Sequence, residues 1–410
     1  MATVWQKKSL HVSHANPNWL ETLFQLYDVE ELWTSALKAP TSSNGGITVF
    51  AEKGVKAERA INPFFAFASR CSVVVNRGDR FCSRLRELCR QLETEQPCFP
   101  MACCNVYLTP PNSQSVPKHS DDRDVLLLQV YGSKEWTVYN DPVVLPYRDE
   151  ELGKTNPVDE EKLTSHSVFQ INQGDVLYMP RGFVHEAKTS SSSSLHITVA
   201  LHTSDWDYAS ILTRTVQKVL RAPEFVESRL CVPLDALSGD AVAGAAASNE
   251  LQSLLQRVLS HSAIQDFSET RRLFSAHMAT MLADRESSLS VTAVAVPAPL
   301  LSSSLIMWNP SVEIDGIEEL SQRDPNVPLM NYIVFCSRPI ASVRGDAGGA
   351  PPLDRMKFGV TDETLRCVQW LSKQPSGMPV RVRHLPMFDD LARVSLAIVL
   401  INNMSCVRIT

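Results

Sequence analysis

Lys118-His119-Ser120-Asp121, followed much later by Pro180-Arg181-Gly182-Phe183-Val184-His185, is the pair of segments that decides how this chain folds. Side chains alternate between the two faces of a strand, so His119 and Asp121 point the same way and can grip one ion. Neutral imidazole and carboxylate suit a divalent first-row metal. Two His and one carboxylate on one face of an octahedron make the facial triad of non-haem Fe(II) oxygenases, which leaves three positions open. A lone His-x-Asp is usually structural. This one has company.

Asp124 to Val130 reads as a buried apolar strand, Gly132 as a turn, and the run through Lys134, Trp136 and Tyr139 as a second strand. Gln173 to Gly182 reads as a turn, a short strand and a second turn. Both ligand sets then lie at the ends of short strands, as a jelly-roll barrel with a metal in its mouth requires.

These residues carry a resemblance. Asn105 to Gln114, the His119-x-Asp121 pair, Gly132-x-Lys134-x-Trp136, the Gly174-Asp175 turn, the Pro-Arg-Gly-x-x-His run and Leu195-His196-Ile197-Thr198 together resemble the JmjC-domain ribosomal oxygenases. The opening Trp5-Gln6-Lys7-Lys8 is similar to that family's Trp-x-Lys-Lys, and the likeness runs to the last strand near Thr410. It implies an α+β fold: a double-stranded β-helix (a cupin-like jelly roll), then a helical dimerisation domain and a C-terminal winged helix.

At 410 residues, 44% hydrophobic and 20% charged, the chain is long enough for two or three domains with their own cores. No apolar run reaches membrane-spanning length, and a cleavable signal segment is absent from the N-terminus. A net charge of -6 gives no global attraction for nucleic acid and suits a partner rich in Lys and Arg, such as a ribosomal protein or histone tail. Ten cysteines without regular spacing read as reduced core residues rather than a disulfide framework, and no CxxC pair with a matching second pair favours zinc.

Three parts separate along the chain. Residues 1–203 open with helical periodicity around Trp19-Leu20, Leu23-Phe24 and Leu26-Tyr27, then become short strands. Within them, the polar run from Arg148 to Lys162 reads as a solvated loop, the alternative being an element that shapes substrate access, and Ser190 to Ser194 reads as a flexible turn. Residues 204–300 carry apolar stripes at helical spacing, among them Leu251, Leu254, Leu255, Val258 and Leu259, which read as a helical bundle with Ser238 to Ala245 as a loose loop. The resemblance implies that this bundle forms a homodimer. Residues 301–410 hold a Gly/Pro loop at Gly345 to Pro352, a capped helix from Asp362, a second helix from Asp389 to Ile401 and a closing strand from Cys406 to Ile409, the order of a winged helix. Arg381, Arg383 and Arg393 are too thin a basic surface to make direct nucleic-acid binding the favoured reading.

The chemistry follows. His119, Asp121 and His185 would hold Fe(II), with 2-oxoglutarate as cosubstrate. Lys134, inside an apolar strand, must be paired, because an unpaired buried ammonium is costly. The resemblance assigns it to the far carboxylate of 2-oxoglutarate and gives Thr198 a hydroxyl contact with the same group. Arg181 is the next basic residue for that task. His196 competes with His185 for the metal, but the resemblance assigns the ligand to His185 and leaves His196 nearby. Asn105 and Tyr107 alternate onto one strand face, and the resemblance makes them contacts to the target side chain. Ser120 and Ala200 depart from the family pattern, which commonly has tyrosine and serine there.

The expectation is an Fe(II)- and 2-oxoglutarate-dependent hydroxylase acting on a histidine of a large-subunit ribosomal protein. One alternative demethylates histone lysine at the same site; another, of a different class, is an inactive metal-binding scaffold. The resemblance implies the nucleus and nucleolus. The chain shows no long basic N-terminal extension, which leaves the cytoplasm as the other location or the sequence as a truncated one.

Overall fold

The computed structural model describes residues 3–13, 20, 23–24, 28–29, 32, 35–36, 46–50, 63–95, 99–140, 145–287, 300–320, 331–339 and 353–409. They fall into two compact units, one of residues 1–97, 102–201 and 292–410, the other of residues 98–101 and 202–291. Of the N-terminal periodicity, Leu20 and Phe24 are buried, whereas Trp19, Leu26 and Tyr27 lie outside the described residues, as does Gly345 to Pro352.

The first unit is built on antiparallel strands: β1 (Leu10–Val12), β2 (Ile47–Phe50), β3 (Ser72–Val75), β4 (Ala102–Thr109), β5 (Asp124–Tyr139), β6 (His166–Asn172), β7 (Val176–Met179), β8 (His185–Lys188) and β9 (Ser194–Leu201). One sheet runs in the order β1-β7-β5-β9-β4-β3-β2, while β6 and β8 pair with the far end of β5. The non-sequential order is that of a jelly roll. Two helices, α1 (Pro63–Ala68) and α2 (Ser83–Thr94), belong to this layer; α2 buries Leu85, Leu88 and Cys89 along one side, as an amphipathic helix should.

The structure corrects the reading of two strands around Gly132. Asp124 to Tyr139 is one continuous strand that bends and changes partners. Its first half pairs with β7 and β9, its second with β6 and β8. A register irregularity between Gln129 and Tyr131 and a φ of +65° at Gly132 take the strand round the corner. Only glycine fits there, since a Cβ would stand 1.9 Å from the Ser193 carbonyl oxygen. Of Ser190 to Ser194, read as a turn, Ser190 and Ser191 are exposed, whereas Ser193 and Ser194 are fully buried beside this corner, and Ser194 Oγ accepts from Gln129 Nε2 at 2.9 Å.

The C-terminal residues of the same unit add β10 (Leu305–Trp308), β11 (Glu313–Glu319), β12 (Tyr332–Pro339), β13 (Leu353–Val360), β14 (Val380–Arg381) and β15 (Cys406–Ile409). Strands β14-β10-β15 form one small sheet, and β11-β12-β13 form a meander that the sequence did not announce. The two expected helices are present as Asp362–Ser372, capped by the Thr361 hydroxyl, and Asp390–Asn402, capped by the Asp389 carboxylate. The latter buries most of its surface and packs on α1; nearby, the Phe67 and Phe388 rings meet edge to face at 5.8 Å.

The second unit is helical: α3 (Tyr208–Leu220), α4 (Leu234–Leu237), α5 (Ala241–Ser260), α6 (Ser262–Gln265) and α7 (Phe267–Ser287). Val219, Phe225, Val258 and Ala263 form its core. The Ala-rich stretch expected as a loop is instead the first turn of α5. The Asp240 carboxylate accepts from the Val242 and Ala243 amides, and alanine has the best intrinsic helix propensity. Among the described residues no helix is long and apolar enough to cross a membrane. The described cysteines are free thiols, all buried except Cys231.

Candidate metal centre

His119, Asp121 and His185 converge: one ligand atom from each lies within 4.8 Å of the others. His119 Nε2 is 3.9 Å from Asp121 Oδ1, and His185 Nε2 is 3.8 Å from Asp121 Oδ2. Backbone pairing produces this. His119 N donates to His185 O at 3.1 Å and His185 N to His119 O at 2.8 Å, while Gly182 N donates to Asp121 O at 2.9 Å. His119 therefore sits in an isolated bridge and Asp121 just beyond it, in extended chain rather than in a regular strand.

Side-chain hydrogen bonds finish the orientation. His119 Nδ1 lies 2.7 Å from the Pro117 carbonyl and His185 Nδ1 3.0 Å from the Phe183 carbonyl. A carbonyl only accepts, so each Nδ1 carries the proton and each Nε2 presents its lone pair inward, the tautomer a metal ligand needs. Burial lowers the pKa of both rings, that of His185 to about 3 with His119 adding to the shift, so both stay neutral. Burial alone would raise Asp121, but Lys154 and the two imidazoles override it and hold the carboxyl well below its ordinary range. Two neutral imidazoles and an ionised carboxylate fit Fe(II).

The triad stands at a cavity of about 540 Å³. Its floor is strands in register: Val125, Ala200 and Cys103 form one row, Leu127, Thr198 and Asn105 the next, and His196 and Tyr107 a third. Asn105, Tyr107, His196 and Thr198 all line the cavity. Asn105 Oδ1 accepts from Arg77 N at 2.9 Å, and Tyr107 stacks on His196 with ring centroids 4.7 Å apart. His196 is buried beside Lys134 and carries an Nδ1 without a hydrogen-bond partner, yet it is not among the converging donors.

Lys134 is 2% exposed. Its ammonium donates to Thr109 Oγ1 at 3.0 Å and Ser115 Oγ at 3.1 Å, and no carboxylate pairs with it among the described residues. Burial pushes its pKa down to about 7. A buried cation held by two hydroxyls and facing a cavity suits an anionic ligand. Arg181 is buried but does not line the cavity, so it is no substitute for Lys134.

The sequence missed the other charged lining. Arg77 pairs with buried Asp79 at 2.9 Å, and Arg123 with Asp122 at 2.6 Å. Lys154 Nζ donates to Asp121 Oδ1 and to Glu151 Oε1, the latter at 2.9 Å. Lys154 and Glu151 come from the stretch read as a solvated loop, where nothing in residue spacing marks them.

A jelly-roll fold with a converging His-Asp-His triad at its cavity defines the class, a jelly roll with a candidate metal site. Residues 80–208 match the JmjC domain. It is similar to the bifunctional lysine-specific demethylase and histidyl-hydroxylase NO66 of Drosophila sechellia, at 31% identity over 234 residues. That match covers 53% of this chain and 33% of the relative. The protein of the same name from Brugia malayi is 31% identical over 230 residues, covering 53% of this chain and 31% of the relative. The chain thus spans about a third of the length of these relatives. Among solved structures it is similar to the ribosomal oxygenase YcfD of Escherichia coli, with a TM-score of 0.42 and 13% identity, covering 99% of this chain and 96% of that one.

Proposed function

We propose that this protein is an Fe(II)- and 2-oxoglutarate-dependent dioxygenase that hydroxylates a histidine side chain of a large-subunit ribosomal protein. The observation that carries the reading is the pairing of a triad whose Nε2 atoms face inward with a buried ammonium, Lys134, that has no carboxylate partner among the described residues. His119, Asp121 and His185 would hold Fe(II), and Lys134 with Thr198 would hold the far carboxylate of 2-oxoglutarate. Bound together, metal and cosubstrate supply oxidation of a C–H bond by dioxygen, with 2-oxoglutarate lost as succinate and carbon dioxide.

The chain's own residues bind, orient and exclude water. The apolar rows beside Thr198 and the Trp136 ring wall the cavity, and Asn105 and Tyr107 face the space a target side chain would enter. Lysine demethylation at the same site is the second reading, since the NO66 relatives carry both activities in their name. An inactive scaffold is disfavoured by the intact triad and Lys134. The helical residues 204–300 would form a homodimer, with Leu251 and Leu255 of α5, each more than half exposed, on the contact face. Residues 301–410 would form the winged helix.

Incubating ribosomal proteins with enzyme, Fe(II) and 2-oxoglutarate, followed by peptide mass spectrometry, tests the reading. A gain of one oxygen on a histidine is expected. Loss of methyl groups from histone lysine, with no oxidised histidine, would replace it with the second reading.

A further inference from the structure

The stretch from Arg148 to Lys162 contains a turn docked directly on the metal-binding segment. Ser120 N donates to Leu152 O and Leu152 N to Ser120 Oγ, both at 2.9 Å. Gly153 lies so close that a Cβ would stand 2.2 Å from the Lys118 carbonyl oxygen, and its φ of +73° is one that glycine adopts without strain. Glu151 accepts from Asp122 N at 3.1 Å and from Lys154 Nζ at 2.9 Å. The turn therefore fixes one ammonium against Asp121, on the wall of the cavity that holds the triad.

We propose that Lys154, held by Glu151, sets the charge class of the target: it admits a neutral side chain such as imidazole and rejects a cationic one such as methylated lysine. The proposal rests on the oxygenase reading above. A carboxylate that gives one oxygen to a metal keeps the other, so Lys154 can stay hydrogen-bonded to Asp121 in the loaded site. Arg77 and Arg123 are matched by their buried partners Asp79 and Asp122, and Lys134 would be matched by the cosubstrate, which leaves Lys154 as the lining cation that touches Asp121. A quaternary or tertiary ammonium brought against Lys154 would meet like charge in a partly desolvated site, which is how specificity is built against a wrong partner. Neutral imidazole escapes that penalty and can accept a hydrogen bond from the ammonium.

The test uses the full chain and two peptide libraries of degenerate sequence, one with a central histidine and one with a central trimethyl-lysine. Affinity is read by fluorescence anisotropy with Mn(II) and 2-oxoglutarate under exclusion of oxygen. Turnover is read by mass spectrometry with Fe(II) in air. Wild type should favour the histidine library, and Lys154→Met should narrow the gap at least about tenfold by tighter binding of the methyl-lysine library. Lys154→Arg, which keeps the charge, should restore the preference; circular dichroism checks that both variants fold. An unchanged affinity ratio in Lys154→Met, or a wild-type preference for methyl-lysine, overturns the proposal. If wild type forms no succinate with either library, the oxygenase reading fails, and the affinity ratio still decides the role of Lys154.

Discussion

His119 and His185 hydrogen-bond each other's backbone in both directions, at 3.1 and 2.8 Å, although 66 positions separate them. The barrel thus sets the spacing of its two imidazoles through main-chain pairing, and the side chains need only the carbonyls of Pro117 and Phe183 to fix their tautomers. Metal affinity should then depend on these rings and not on the third cavity histidine. His119→Ala and His185→Ala should each abolish Mn(II) binding in calorimetry, whereas His196→Ala should retain it. Loss of the metal in His196→Ala would mean the wrong histidine has been assigned.

Lys134 should govern the cosubstrate. Truncating one partner of a buried charge pair costs about 2–4 kcal/mol, so Lys134→Ala should weaken 2-oxoglutarate binding by that amount with little change in Mn(II) affinity. An equal loss for both ligands would point to a collapsed cavity instead.

The lowered pKa of Lys134, about 7, gives this site a pH signature. Above that pH the free site has lost the proton that an anion needs, so binding at pH 8 should take up close to one proton. Affinity should fall as pH rises from 7 toward 9. For folding the sign is the reverse: between about 7 and the ordinary lysine value the unfolded chain holds a proton that the folded ligand-free chain lacks, so this group raises stability as pH rises through that window. Calorimetry in buffers of different ionisation enthalpy reads the uptake, and Lys134→Met should remove it.

Gly132→Ala should destabilise the barrel. The strand turns its corner at φ +65° with the Ser193 carbonyl in the way, and strain of this kind costs about 1–3 kcal/mol before the clash is counted. Denaturant unfolding measures it; a wild-type midpoint would show that the corner can relax.

The helical unit offers a check on assembly. Val258 lies in its core and Leu254 packs against that core, so charging them would unfold the unit rather than probe an interface. Leu251 and Leu255 are 58% and 57% exposed on α5. Light scattering should give about twice the 45.6 kDa chain mass, and Leu251→Glu with Leu255→Glu should shift it toward monomer. A monomeric wild type removes the dimer from the account.

The metal-binding half of this account was legible because its residues are local: His-x-Asp and Pro-Arg-Gly-x-x-His each fix two or three side chains by short-range backbone geometry. Lys134 was legible as a charge inside an apolar run. The turn bearing Glu151 and Lys154 was not, because a polar run reads as solvated unless its backbone partners are known, and those partners, Lys118 and Ser120, lie more than 30 residues away. The unbroken course of β5 was hidden for a related reason. Gly132 signals a turn, and only the switch of partners from β7 and β9 to β6 and β8 shows the strand continuing through it. The start of α5 is hidden by composition, because an Ala/Gly stretch resembles a loop and only the Asp240 carboxylate, capping the Val242 and Ala243 amides, marks it as a helix.

The most direct test of the central claim is succinate formation from 2-oxoglutarate by the purified chain with Fe(II) in air, compared with His185→Ala and Lys134→Ala. Wild type should form succinate, His185→Ala should form none, and Lys134→Ala should require far more 2-oxoglutarate for half-maximal rate. Succinate formation by His185→Ala at the wild-type rate, or none by a wild-type protein that binds Mn(II), would contradict the assignment of this site.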